Sequence, residues 1–255
     1  MFGLVTALTL ALLATPDPTG LPSTPVPEAV SDAQIMTSIR QAIAGTETGK
    51  VLAVLAPSFP NDYAALEQQM LARARAATLD TVAIDEMGAA FASNIMARHM
   101  DRVVQASTTD LVALSSVRLD LIKALQQGHA AACHEFVEAG LSPVRIAELG
   151  VDGSRSLERL SQAVIGIIAR PPGVTPHPEP ATEAWEAIGR RYADMGGNPV
   201  WIAALFGDRN YSGQSHADRC ANAVLWETAV SEATPEVRAY YISALYVVPP
   251  APAAP

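Results

Sequence analysis

The chain has 255 residues, of which 49% are hydrophobic and 17% are charged. This composition excludes disorder throughout the chain and allows a large buried core. The formal net charge of −9 repels nucleic-acid phosphates, and the basic residues are scattered rather than clustered, so we expect no nucleic-acid partner.

The chain begins with an uncharged apolar run, which covers residues 2–14 of "MFGLVTALTLALLATPDP". As a helix this run would span about 20 Å, which is too short for a hydrocarbon core of about 30 Å. Its length fits the apolar part of a secretory signal, but no Lys or Arg precedes it and Leu12 is large for a cleavage site after Ala14. We predict that residues 1–14 are a signal-like or membrane-anchoring segment outside the globular core. The alternative is a buried first helix, and Met1 need not be the true start.

Two proline-rich segments flank the part of the chain that we expect to fold. Residues 15–27 are a predicted extended linker, and residues 249–255, "PAPAAP" after Pro249, are a predicted disordered Pro/Ala tail. Residues 28–248 are the predicted all-helical domain. Only Lys50 and Lys123 are lysines among abundant Ala and Arg, a bias that is typical of GC-rich bacterial genomes.

Helical periodicity dominates the predicted domain. One apolar stripe predicts a helix over residues 82–105, and it is formed by Ile84, Met87, Phe91, Ile95 and Val103. A second stripe predicts the next helix, from a cap at Ser107 and Asp110 to Gly128, with Leu111, Leu114, Leu121 and Leu125 on one face. Arg118 is the single polar break in that second stripe.

Further helices are predicted near residues 32–44, 61–77, 129–139, 154–169, 181–194, 216–232 and 235–246. The strand-like run at 50–59 has no partner strand, so we interpret it as a connector or a turn of helix. In the helix at 181–194, Trp185, Ile188 and Tyr192 share a face and should pack inward. We therefore predict an all-α, irregular multi-helix bundle of about eight to nine helices. The break at 170–180 either divides two subdomains or is a long surface loop.

The chain has two cysteines, and each follows a histidine by four residues, in "HAAAC" (His129 to Cys133) and "HADRC" (His216 to Cys220). Residues four apart share a helical face, so the four side chains could form a Cys2His2 zinc site. Two cysteines in an exported protein more simply form one disulfide, and two free thiols are a third alternative. The disulfide hypothesis predicts Cα atoms about 4.4 to 6.8 Å apart and at least one histidine that points elsewhere.

The densest polar stretch of the folded part is residues 207–219. It offers Asp208, Arg209, Asn210, Tyr211, Gln214 and His216, which are residue types found both in functional loops and in ordinary solvated connectors. The chain contains no P-loop, GxSxG, GxGxxG or HExxH motif. We expect His99 to be a boundary histidine with a hydrogen-bond partner, and His177 to be exposed.

These features lead to a functional hypothesis for a bacterial protein that is periplasmic, or membrane-anchored and facing the periplasm. We expect a binding or assembly role at the cell envelope, without a cofactor, with another envelope protein as partner and membrane association through residues 1–14. The alternatives are an enzyme that uses residues 207–219 and a Cys2His2 metal-binding protein. An enzyme should have a pocket where that loop and another titratable residue converge, whereas a binding module should have an exposed apolar patch or groove.

Overall fold

The computed structural model describes residues 30–173, 176–207 and 213–247, and this part of the chain forms thirteen α-helices and no strand. The predicted all-α class is confirmed. The helices are α1 (Asp32–Ile43), α2 (Glu47–Leu55), α3 (Pro60–Arg75), α4 (Thr81–His99), α5 (Asp101–Val104), α6 (Thr108–Gln126), α7 (Ala130–Ala139), α8 (Pro143–Glu148), α9 (Val151–Ile168), α10 (Thr182–Asp194), α11 (Pro199–Phe206), α12 (His216–Ser231) and α13 (Pro235–Leu245).

The structure has more helices than the sequence pattern predicted, because short helices leave little periodicity. The helices α8 and α11 are six and eight residues long, and each begins with a proline after a capping Ser142 or Asn198. The run at 50–59 lies largely in α2, which agrees with the interpretation as helix rather than strand. The long helix predicted over 82–105 divides at Met100, whose backbone still has helical dihedral angles.

The cap predicted at the start of α6 is confirmed, and α12 begins with a cap of the same spacing. The Ser107 hydroxyl accepts a hydrogen bond from the Asp110 backbone N–H at 3.2 Å, which fixes the first turn of α6. Ser215 and Asp218 form a reciprocal capping box at the start of α12. Local sequence therefore determines where these two helices begin.

Helix α6 is at the centre of the main core, where it packs against α7, α9, α12 and α13. The four leucines of its predicted stripe are all buried, with at most 1% of their surface exposed. Helix α12 also packs against α7 and α10. The segments before and after residues 170–180 thus share one core, so this break does not separate two cores.

The connection between α9 and α10 lies against the α5–α6 junction. A Cβ added to Gly173 would lie 2.4 Å from the Gln105 carbonyl oxygen, so only glycine allows this approach. His177 is half-buried, and its Nε2 lies 2.8 Å from the Ala106 carbonyl oxygen. The expectation that His177 is simply exposed was wrong, because the connection folds back onto the helices.

A smaller apolar cluster lies among α1 to α4. Its fully buried residues are all apolar: Met36, Ile39, Ile43, Leu52, Leu66, Met70 and Ile84. His99, at the end of α4, is half-buried and its ring centroid lies 4.7 Å from that of Phe59. The pKa of His99 is lowered by burial and by Arg102 and Arg98.

The predicted terminal segments, residues 1–14, 15–27 and 249–255, lie outside the described residues. Among the helices that the structure describes, none has both the length and the apolar character needed to cross a membrane. The signal-like or membrane-anchoring role of residues 1–14 stays a prediction.

Candidate ligand-binding site

The two cysteines lie between the adjacent helices α7 and α12. Cys133 and Cys220 are fully buried, and their sulfurs are at disulfide-bonding distance with Cα atoms 5.6 Å apart. This separation falls in the range that the disulfide hypothesis predicted. The pair joins positions 87 residues apart in the chain.

The structure does not bring the two histidines of the HxxxC motifs to the sulfurs as a ligand set. His129 Nε2 accepts a hydrogen bond from the Gly150 N–H at 3.2 Å, while the His216 ring lies against His134 with centroids 5.0 Å apart. Among the described residues, no group of three or more His, Cys, Asp or Glu side chains is arranged to hold a metal ion. The Cys2His2 alternative is not supported by this arrangement.

Part of the predicted polar loop lies outside the described residues, including Asp208, Arg209, Asn210 and Tyr211. Gln214 is half-buried, and both polar atoms of its side chain are buried without a hydrogen-bond partner among the described residues.

The described end of the loop adjoins a cluster of titratable side chains. His134 Nε2 lies 2.8 Å from Arg219 Nη1 and 3.3 Å from Glu138 Oε2. The pKa of His134 is lowered because burial, Arg219 and His216 together outweigh the opposing effect of Glu138. This cluster is compatible with the enzyme alternative, which stays a hypothesis.

A second polar group lies deep in the core, at the position where Arg118 interrupts the apolar stripe of α6. The Arg118 Nε donates to Glu227 Oε1 at 2.9 Å, and the Tyr241 hydroxyl donates to the same oxygen at 2.9 Å. Only 9% of the Arg118 side chain and 2% of the Glu227 side chain are exposed. The group therefore ties α6, α12 and α13 together inside the protein.

Burial and charge act in opposite directions on this group. Burial lowers the pKa of Arg118, but Glu227 and the neighbouring tyrosines outweigh that effect and raise it above the ordinary value. Burial and Glu227 raise the pKa of Tyr241 well above 10, against the opposing effects of Arg118 and Trp226. Arg118 is thus a buried cation, and its guanidinium carbon also lies 4.8 Å from the ring centroid of Phe136.

Two polar atoms of this region have no hydrogen-bond partner among the described residues. One is Glu227 Oε2, an acceptor, and the other is Trp226 Nε1, a donor, and both atoms are buried. Leaving such an atom unpaired costs about 1 to 3 kcal/mol. Both atoms are closed to solvent, and the Trp226 indole lies close enough to the Tyr241 hydroxyl to oppose the rise in the pKa of that phenol.

Two neighbouring cavities have Trp226 in their lining. The inner cavity has a volume of about 220 Å³, and Arg118, Trp226 and Glu227 are among the residues that line it. The outer cavity has a volume of about 570 Å³ and lies among α10, α11, α12 and α13. Both cavities are lined by Phe206, Trp226, Tyr241 and Leu245.

The outer cavity concentrates the aromatic residues of a chain that has few of them. The chain has three Trp, six Tyr and five Phe residues, and five of these aromatic side chains line this cavity: Trp185, Phe206, Trp226, Tyr240 and Tyr241. The ring pairs Trp185–Tyr240 and Phe206–Trp226 meet edge to face, with centroids 6.1 and 5.3 Å apart. Phe206 is nevertheless 62% exposed, so an apolar surface faces solvent there.

A separate hydrogen-bond network positions the wall that α10 and α11 form. The Tyr192 hydroxyl lies 3.0 Å from the Asn198 carbonyl oxygen and 2.5 Å from Asn222 Oδ1, which also accepts from the Asn198 N–H at 2.8 Å. Burial raises the pKa of Tyr192 to about 12, with Asn198 opposing it. This network fixes the turn between α10 and α11 onto α12.

Sequence reasoning found only part of this site. Ile188 and Tyr192 pack inward as predicted, whereas Trp185 is half-buried and lines the outer cavity. Arg118 interrupts the apolar stripe of α6, and this break in the pattern indicates a buried charge. The sequence of α12 does not identify Glu227 as the partner of Arg118. Comparison with protein-family models, curated proteins and solved structures found no match to this chain.

Proposed function

We propose that this chain is a binding protein of the bacterial cell envelope, and that its outer cavity holds a small, largely apolar molecule. The observation that carries the proposal is an apolar cavity of about 570 Å³ with five aromatic side chains in its lining. Small-molecule sites typically measure about 300 to 1,000 Å³ and are lined by apolar and aromatic groups with a few placed polar atoms. The outer cavity and the neighbouring Arg118–Glu227 pair match that description.

Two further features support a binding role. The exposed ring of Phe206 leaves an apolar surface at the cavity, and an apolar patch that faces water is a common property of binding sites. Arg118 and Glu227, the charged pair of the inner cavity, are already bonded to each other, which favours holding a ligand over transferring protons. The enzyme alternative rests instead on the cluster around His134.

The envelope location is supported by the cysteine pair. A buried pair at disulfide distance is typical of proteins in oxidising compartments, and the predicted role of residues 1–14 agrees with export. In this proposal the protein is periplasmic or anchored to the membrane, and the bound molecule is carried to, or sensed for, another envelope protein.

A direct test is binding of the neutral apolar dye N-phenyl-1-naphthylamine, whose fluorescence rises in an apolar site. We expect saturable, one-site binding to the wild-type protein. Gly189→Leu should weaken binding at least tenfold, because Gly189 lines the outer cavity and has free space around its Cα into which the leucine would extend. Loss of dye binding reports occupancy of the cavity directly.

Gly166→Leu is a matched control. Gly166 also lies inside a helix, is half-buried and has free space around its Cα, but it is on α9 and not in the lining of the outer cavity. Both substitutions replace a helical glycine, so both should favour the helix by a similar amount. Equal dye affinity of the two variants would contradict the proposed site.

A further inference from the structure

We infer that the ligand of the outer cavity is a linear alkyl chain, of the kind found in lipids, which extends across α13 into a further apolar cavity. The inference rests on the proposed function and specifies the class of molecule that the site takes. This further cavity, the side cavity, has a volume of about 600 Å³. It is lined by Val104 of α5, by Pro176 and His177, and by Tyr240, Ala244 and Val247 in or just after α13.

The outer cavity and the side cavity meet on one face of α13. Tyr240 and Ala244 line both cavities, and residues four apart lie on the same face of a helix. Ala244 is exposed and its side chain is a single methyl group, so it does not obstruct the passage between the cavities. A chain that leaves the outer cavity can therefore cross α13 at Ala244 and enter the side cavity.

The side cavity offers apolar surface and few free polar groups. Among the described residues that line it, none is Asp, Glu, Lys or Arg. The Ser243 hydroxyl donates to the Tyr240 carbonyl oxygen at 2.8 Å, and His177 Nε2 already contacts the Ala106 carbonyl oxygen. A hydrocarbon chain needs no hydrogen-bond partner, so it suits this lining better than a polar ligand does.

Exposed apolar side chains continue from one cavity to the other. Phe206 and Leu245 in the outer cavity are 62% and 45% exposed, and Val247 in the side cavity is 57% exposed. A compact molecule confined to the outer cavity would leave Val247 in water. A linear chain would cover apolar surface in both cavities, and each methylene that moves from water into apolar surroundings raises the affinity about fourfold.

The experiment compares four neutral alcohols that differ in length and shape: 1-octanol, 1-decanol, 1-dodecanol and 1-adamantanol. Each alcohol would compete with N-phenyl-1-naphthylamine on the full chain, so that displacement of the dye reports entry into the outer cavity. An extended chain advances about 3.5 Å over three bonds, so dodecanol is longer than octanol by about 5 Å. We expect dodecanol to bind at least tenfold more tightly than octanol. Decanol should bind at least threefold more tightly than adamantanol, which has the same ten carbons in a compact cage.

The variant Val247→Asp tests the side cavity alone. Val247 lines the side cavity and not the outer cavity, and an alkyl chain that reached the new carboxylate would have to remove it from water. The ratio of dodecanol affinity to octanol affinity should fall to threefold or less, while the affinity for adamantanol should stay within twofold of the wild-type value. Val200→Asp is the matched control and should keep the wild-type ratio, because Val200 is 59% exposed and lines neither cavity.

The outcomes separate the inference from the proposed function. If neither the dye nor any alcohol binds, both are overturned, because the outer cavity then takes no apolar molecule. If adamantanol binds and dodecanol binds no more tightly than octanol, the inference is overturned and the binding role stands. Residues 249–255 or a partner protein would then be the alternative occupants of the side cavity.

The two aspartate variants give a second way to overturn the inference. Equal ratios of dodecanol to octanol affinity in Val247→Asp and Val200→Asp would show that the chain does not reach the side cavity. If Val247→Asp does not fold, as judged by circular dichroism, Pro176→Asp decides, because Pro176 is exposed and lines the side cavity but not the outer cavity.

Discussion

The cluster of α1 to α4 and the region of α6, α12 and α13 differ in where their charged side chains lie. In the first, the fully buried residues are apolar and the charged side chains form ion pairs near the surface, such as Arg40 with Glu67 at 2.7 Å. In the second, Arg118 and Glu227 form an ion pair inside the core. Only the second region lines the two adjoining cavities, and its helix α12 carries Cys220, one cysteine of the pair.

The buried ion pair of the second region is not the arrangement that stabilises a core most. Removing two charges from water costs several kcal/mol for each ion, and apolar residues of similar size often stabilise a core equally well. A buried ion pair is therefore weak support for a purely structural role. Both residues of the pair line the inner cavity, which agrees with the binding role that we propose for the second region.

The largest effect that we expect comes from removing the link between α7 and α12. In the double variant Cys133→Ala, Cys220→Ala, the free energy of unfolding should fall by about 4 to 5 kcal/mol, because the bridge closes a loop across a separation of 87 residues. Urea denaturation followed by circular dichroism at 222 nm would measure this change.

Chemical reduction is the control for the cysteine variant. Dithiothreitol should destabilise the wild-type protein by a similar amount and leave the double variant unchanged. A thiol titration that finds two free thiols in the oxidised, denatured protein would contradict the presence of the bridge. Equal stability of the wild-type protein and the variant would contradict its structural role.

The next effect concerns the buried ion pair. Arg118→Met leaves the Glu227 carboxylate buried without its cation, so the free energy of unfolding should fall by about 3 to 5 kcal/mol. The double variant Arg118→Met, Glu227→Met should recover most of that loss, because it removes both charges. Urea denaturation of the two variants and the wild-type protein would measure both changes.

A double variant that is no more stable than Arg118→Met would show that the stability does not depend on pairing the two charges.

The sequence predicted the parts of the fold that depend on local signals. The capping residue Ser107 and the buried stripe of α6 follow from spacing along one helix, and the class of fold follows from many such stripes. The distance between Cys133 and Cys220 was predicted because two cysteines allow only one pairing. Short helices such as α8 were not predicted, because a helix of fewer than two turns is too short to show a periodic apolar stripe.

The candidate site could not be predicted, because it depends on contacts between distant segments. Arg118 and Glu227 are 109 residues apart, and no local pattern connects them. The aromatic side chains of the outer cavity come from α10, α11, α12 and α13, and none of these helices supplies more than two of them. The polar stretch 207–219 was a candidate functional loop because its polar residues are adjacent in the chain. Adjacency in the chain does not by itself bring side chains together at one site.

A much smaller effect is expected for the matching ion pair of the α1–α4 cluster. Arg40→Gln should lower the free energy of unfolding by less than about 1 kcal/mol, because 56% of the Arg40 side chain is exposed and water screens its interaction with Glu67. In 1 M NaCl the difference should disappear, since the screening length is then about 3 Å. A loss equal to that of Arg118→Met would contradict the contrast between the two regions.

The smallest effect that we expect is a loss of stability in mild acid, which should not occur at neutral pH. Burial lowers the pKa of both His134 and His99 below 6.5, so the unfolded chain binds more protons than the folded chain between the lowered pKa values and 6.5. Stability should therefore fall as the pH drops through that window. His134 is the more deeply buried of the two, so His134→Gln should flatten the fall in urea midpoint between pH 7.5 and 5.5 more than His99→Gln. If both variants flatten the fall equally, the region of α7 and α12 is no more sensitive to acid than the cluster of α1 to α4. The contrast between the regions would then be limited to the buried ion pair and the cavities.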